Sequence, residues 1–146
     1  MKRAFAAALT FAILGCASTK NANIILPELQ LAELTSLTEM GQPSGRIDLQ
    51  FALRIANKSG EPITLRRIEM SSIGSGAYEL LRDTYYFKQT VEPNQSVDVP
   101  FWAKAVARGA RSLRANEPVT IRGVAYFESP AGPFQKVVTR YISQYE

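Results

Sequence analysis

Histidine is absent from this 146-residue chain, and cysteine occurs once. An intrachain disulfide is therefore excluded, and neither Cys/His zinc sites nor histidine-based catalytic triads can be assembled. Long apolar runs are also missing: Ala4 to Leu14 is the longest, short of the roughly 20 residues that a bilayer-spanning helix needs. The excess of positive charge is small. If Lys2 and Arg3 are removed by processing, the formal +4 falls by two, which gives no ground for nucleic-acid binding. No serine lies in a Gly-x-Ser-x-Gly or Ser-x-x-Lys setting, and Gly74-Ser75-Gly76 lacks the Gly-Lys-Ser/Thr that a phosphate loop requires. The acidic pairs Glu79/Asp83 and Glu92/Asp98 sit beside turn signals, where carboxylates are simply solvated. Composition and pattern thus point to a protein that is not an enzyme and carries neither cofactor nor metal.

What is present is organised around one stretch. Ile47, Leu49, Phe51, Leu53 and Ile55 occupy alternate positions, with Asp48, Gln50 and Arg54 between them. That period of two is a half-buried strand, because a helix would scatter the same five side chains around its axis. A hydrophobic fraction of 46% with 21% charged residues fits one globular domain.

The N-terminus reads separately from the domain. Met1-Lys2-Arg3 is basic, Ala4 to Leu14 has the length of a secretory h-region, and Ile13-Leu14-Gly15-Cys16 follows. This resembles the bacterial lipobox, and the resemblance implies lipid transfer to Cys16 and cleavage before it. Leu14 is bulkier than the usual occupant of its position. The alternative is an ordinary secretory peptide cut near Ala17 or Ser18. Residues 1–15 are thus expected to be a lipoprotein signal peptide, 16–23 a lipidated tether, and 24–143 the folded domain. A multiply acylated cysteine anchors stably. The expected location is the bacterial cell envelope, on the outer membrane facing the periplasm if the cell is Gram-negative.

Beyond the tether, Ile24 to Leu37 reads as a first strand, with a helix over Leu29 to Leu37 as the rival. After the turn Asn57 to Pro62, Ile63 and Leu65 resume the alternation, and Ile68 and Met70 continue it out of phase across Arg66-Arg67, as a β-bulge would produce. Short strands follow at Tyr78–Leu81 and Thr84–Val91. Tyr86 lies on one face of the latter, and Tyr85 and Phe87 on the other. Val97, Val99 and Phe101 form a strand that pairs with Thr84–Val91 as a hairpin. From Trp102 to Ala115 the spacing of Trp102, Val106, Ala110 and Leu113 predicts a short amphipathic helix near residues 103 to 114. Its opposite face would carry Lys104, Arg108, Arg111 and Arg114, a candidate surface for anionic envelope components such as lipid head groups. The plainer alternative is a solvated helix face. Strands at Val119–Phe127 and Phe134–Ile142 close the fold.

The fold class is therefore all-β: an antiparallel sandwich of immunoglobulin or fibronectin III type with one short helix. Its expected core holds Leu49, Phe51, Leu53, Ile55, Ile63, Leu65, Val99, Phe101, Ile121 and Phe127. The order of motifs, Ile55-Ala56-Asn57, Pro62-Ile63, Pro93-Asn94-Gln95-Ser96, Gly123-Val124-Ala125-Tyr126-Phe127 and Gly132-Pro133-Phe134, resembles the late embryogenesis abundant group 2 domain, also called the water stress and hypersensitive response domain. Lys58 stands where that family usually has proline. The resemblance covers about residues 24 to 142 and implies a sandwich associated with desiccation tolerance, with no enzymatic residues. Three function classes follow in order of preference: a structural or binding module of the envelope, a stress-protective protein, and an enzyme.

Overall fold

A computed structural model describes residues 24–37, 39–74 and 76–143. These form eight antiparallel strands: β1 (Glu28–Glu33), β2 (Ser44–Ala56), β3 (Ile63–Ile73), β4 (Tyr78–Leu80), β5 (Asp83–Val91), β6 (Ser96–Arg108), β7 (Val119–Ser129) and β8 (Gly132–Ile142). They make two four-stranded sheets, ordered β1-β2-β6-β4 and β5-β3-β7-β8. The apolar faces of the two sheets close on each other, and every residue of the expected core is buried.

The alternation read in the sequence sets the architecture. β2 pairs with β6 without a slip from Ser44↔Arg108 to Ala56↔Ser96, which places Leu49, Phe51, Leu53 and Ile55 on the inner face. Phe101, directly opposite Phe51, ties the sheets together through rings of β5: its centroid lies 6.0 Å from Phe51, 5.3 Å from Tyr85 and 5.8 Å from Phe87. Tyr86, one residue out of phase with these rings, is 77% exposed. At Arg66-Arg67 the register of β3 slips against both β5 and β7, so the change of phase is a bulge.

Two features differ from expectation. Residues 103 to 108 continue β6 as strand, and no helix occurs among the described residues. The inward set of this strand runs on from Val99 and Phe101 through Ala103, Ala105 and Ala107, all buried. Trp102, expected to anchor a helix, is instead 57% exposed on the outer face, and Leu113 is wholly exposed. The strand ends at Gly109, whose φ of 72° takes the chain into a series of turns. A Cβ there would lie 2.7 Å from the Ser44 side chain, so both the dihedral and the close approach require glycine. In addition, β5 and β6 are not a hairpin. Glu92 to Gln95 carries the chain from one sheet to the other, and β6 pairs instead with β2 and β4.

Pro100, inside β6, removes no ladder bond. The N–H of Leu81 donates to the Lys104 carbonyl and the N–H of Arg108 to the Ala77 carbonyl, so the even-numbered backbone groups of β6 face away from β2. Proline therefore removes a donor only from the open edge, where it also blunts pairing with another chain.

At one end of the sandwich Asn57, buried although polar, joins two connections. Its amide donates to the carbonyls of Glu61 at 2.8 Å, Val91 at 3.0 Å and Glu92 at 3.3 Å. Its Oδ1 accepts from the Ser59 N–H and hydroxyl. The β2–β3 turn is thereby fastened to the β5–β6 connection. Residues 24–27 lie at this same end, because Glu28 pairs with Ala56 and the Lys136 ammonium donates to the Pro27 carbonyl.

Candidate functional site

The four basic residues do not share a face. Lys104 and Arg108 project from the outer side of β6, and Arg111 and Arg114 lie in the turns that follow. Acidic groups accompany three of them. Lys104 sits opposite Asp48 in the register, Arg108 approaches Glu79 at 3.9 Å, and Arg114 approaches Glu117 at 3.8 Å. Arg108 also donates through Nε to the Gly76 carbonyl at 2.8 Å. The single cationic arc expected of a helix is therefore replaced by two small, partly neutralised patches. Among the weighed acidic pairs, Glu79 is taken up by Arg108, and Asp83 caps the Thr84 N–H at 2.7 Å.

The arginines of the bulge are held by their own sheet. Arg66 pairs with Glu128, while Arg67 lies 3.4 Å from Glu69 and stacks its guanidinium 4.0 Å above the Tyr126 ring. Exposed pairs of this kind contribute little to stability. Their arrangement is that of a bulge with paired charges, although Arg67 Nε is buried without a hydrogen bond of its own.

The chemically unusual place is at the end of the sandwich opposite Asn57. Leu29 and Leu31 point inward from β1, and the same parity carries Glu33 inward after them. Tyr78 opens β4, opposite Ala107. Both side chains line a cleft of about 340 Å³, together with Glu39, Val119, Arg140 and Ile142. Glu33 Oε1 and the Tyr78 hydroxyl are buried and face each other, and neither has a hydrogen-bond partner beyond that pair among the described residues. Burial pushes the Glu33 carboxyl up to about 7, with the nearby Tyr78 hydroxyl offsetting part of the rise. The Tyr78 hydroxyl is itself raised, chiefly by burial and then by the Glu33 charge.

The signal for this site was available in the pattern Leu29-x-Leu31-x-Glu33. Taking Leu34 as the next apolar mark conceals it, and the structure leaves Leu34 51% exposed. The consequence for stability has a definite sign. Because the folded carboxyl titrates near 7 rather than near 4.5, the native state holds a proton that the unfolded chain releases. Stability is then full below about pH 4.5 and is lost as the pH rises through about 7. Glu33→Gln is expected to stabilise the domain by about 2 kcal/mol at pH 8, after allowance for partial exposure, and negligibly at pH 4. Thermal melts of parent and variant across that range check it. A parent whose stability does not fall between pH 5 and 8 would contradict the burial argument.

Cys16, the expected lipidation residue, lies outside the described residues, as does the expected signal peptide. No protein-family model matches the chain, and comparison with curated protein sequences finds no match. Solved structures do resemble it. The structural-genomics target SoR45 superposes with a TM-score of 0.54 at 10% identity, over 80% of this chain and 84% of that one. A protein from Archaeoglobus fulgidus reaches a TM-score of 0.48 at 13% identity, over 80% of this chain and 94% of its own. At such identities the first likeness speaks for the two-sheet fold alone.

Proposed function

We propose that this protein is a lipid-anchored, non-enzymatic domain of the bacterial cell envelope, serving as a binding or structural module. The observation that carries the proposal is Cys16, the sole cysteine, placed directly after a basic start and an h-region. β1 begins a dozen residues later, at Glu28, so the domain would be held close to the membrane. In a Gram-negative cell the anchor would sit in the outer membrane, with the domain in the periplasm. The crossings β2–β3 and β6–β7 between sheets, and the paired β1–β2 and β7–β8 within them, support an immunoglobulin or fibronectin III type of sandwich, in whose middle the chain also changes sheet at β3–β4, β4–β5 and β5–β6.

This placement gives the domain a direction. Residues 24–27 and Asn57 lie at the end nearest the tether. Glu33 stands opposite Phe51, five residues along β2 from Ala56, and Tyr78 stands opposite Ala107, whose β2 partner Gly45 is eleven residues from Ala56, so at about 3.3 Å per residue the cleft is roughly 17 to 36 Å away. Glu33 and Tyr78 would then face the periplasm. Anionic envelope components are partners for Lys104 and Arg108 as one patch and for Arg111 and Arg114 as another. Membrane fractionation tests the anchor: Cys16→Ser is expected to move the protein from the membrane to the soluble fraction, and an unchanged distribution would overturn the proposal.

The stress-protective reading is supported by physical roles for two motif positions of the late embryogenesis abundant group 2 resemblance. Asn57 fastens two connections, and Gly123 faces Ile68, Met70 and Val138 so closely that a Cβ would stand 3.0 to 3.2 Å from them. Survival of a deletion strain after drying tests it, and unchanged survival would remove that reading.

A further inference from the structure

We propose that the cleft between β1, β4 and β8 binds a primary ammonium group. The inference rests on the binding-module reading and is independent of the anchor. Buried polar groups in folded proteins are almost always fully paired, yet this cleft contains two whose only partner is each other. Tyr78 is only 1% exposed, and its hydroxyl, which can donate to the Glu33 carboxyl, has no partner to fill its own lone pairs. Glu33 Oε1, also buried, has no partner beyond that hydroxyl, and Glu33 lines the same space. A volume of about 340 Å³ is at the lower end of the range for small-ligand sites.

The nature of the orphan atoms selects the ligand. A carboxylate accepts hydrogen bonds and a phenol oxygen can accept one, so the missing partner must bring donors. It must also bring positive charge, because a carboxylate out of water is stabilised by a cation in direct contact. A primary ammonium supplies three donors and that charge in one tetrahedral head. An anion would meet Glu33 and the rim carboxylate of Glu39. A divalent metal would need further ligands, and no group of three or more His, Cys, Asp or Glu residues suited to a metal occurs among the described residues. Arg140, from β8 on the cleft wall, is placed to receive a carboxylate on the same ligand.

The ammonium has two sources, a small free amine or the N-terminus of a polypeptide, and the test separates them. The full chain in detergent micelles is titrated calorimetrically with putrescine, L-alanine, triglycine and N-acetyl-triglycine. Saturable binding on the order of millimolar or tighter is expected for at least one free amine, and none for the acetylated peptide. Putrescine or alanine binding tighter than triglycine assigns a small molecule, and the reverse assigns a chain terminus. Glu33→Gln is expected to weaken binding at least about ten-fold, and Tyr78→Phe several-fold. Arg140→Gln should weaken alanine and leave putrescine unaffected. The charged and titratable groups lining the cleft are Glu33, Glu39, Tyr78 and Arg140. Because the ammonium requires the Glu33 carboxylate, putrescine and alanine, whose amines stay protonated, should bind more tightly at pH 8 than at pH 6, whereas the N-terminus of triglycine loses its own proton near pH 8. Absence of saturable binding by all three free amines, or equal binding by the parent and a folded Glu33→Gln variant, would overturn the proposal. Glu33→Gln is the variant expected to gain stability, so its folding does not confound the result. A Cys16→Ser chain should give the same titration, which keeps failure here distinct from failure of the anchor.

Discussion

Replacement of Phe51 by alanine is expected to lower the stability of the domain by about 3–5 kcal/mol. Phe51 is fully buried at the middle of β2, where β2 is paired on both sides, with β1 through Glu33 and with β6 through Phe101. Its ring lies nearly parallel to that of Phe101, at an interplanar angle of 24°. Truncation would remove the apolar area and leave a cavity against Phe101, whose other neighbours Tyr85 and Phe87 come from the opposite sheet. The loss would therefore be felt by both sheets. Urea unfolding should show a lowered midpoint with an unchanged slope, the mark of altered stability without altered compactness. A change under about 1 kcal/mol would mean that Phe51 does not occupy the inner face.

The second large effect is expected at Asn57. The side chain makes five hydrogen bonds, three donated and two accepted, and the backbone N–H of Asn57 donates to the Gln95 carbonyl at 2.8 Å. Asn57→Ala removes the side-chain bonds and leaves the Val91 carbonyl, in a buried setting, without that donor. Each neutral bond contributes about 1 kcal/mol net, and each orphaned buried group costs about 1–3. Allowing for local relaxation, a loss of about 3 kcal/mol is expected. Asn57→Asp should be at least as damaging, because it directs a carboxylate at three carbonyl oxygens. Chemical unfolding of both variants checks this. An alanine variant within about 1 kcal/mol of the parent would reduce Asn57 to a surface turn residue.

The legible part of this fold was the part in which large apolar side chains alternate. Leu49 to Ile55 on β2, the phase slip at Arg66-Arg67 and the split of Tyr85 and Phe87 from Tyr86 all follow from the period of two. The misreading at Trp102 to Ala115 has a physical cause. The inner face of β6 changes from Val99 and Phe101 to Ala103, Ala105 and Ala107, and alanine is the best helix former as well as a small core residue. With Ala103, Ala105 and Ala107 uncounted, Trp102, Val106, Ala110 and Leu113 simulate a helical stripe. Tertiary pairing with β2 and β4 overrides that local preference. The β5–β6 connection was misassigned because Pro93-Asn94-Gln95-Ser96 serves a hairpin and an arch between sheets equally well. Only the long-range bonds of Asn57 distinguish them.

For the site, the sequence offered charge, and the structure shows burial to be more informative. Lys104, Arg108, Arg111 and Arg114 attract notice as a run of cations, yet pairing with Glu79 and Glu117 neutralises two of them. Glu33 attracts none, because a single acid after two leucines looks like the end of a strand. Its environment depends on Tyr78, which is 45 positions later in the chain and reaches the cleft through β4.

The proposal that joins fold to function is that the sandwich is held to a membrane through Cys16, with its cleft facing away. Mass spectrometry of the mature N-terminus, on protein expressed in a bacterium with a complete lipoprotein pathway, tests it most directly. The account predicts a chain that begins at Cys16 and carries acyl chains on that residue. An unacylated chain beginning near Thr19 would contradict it.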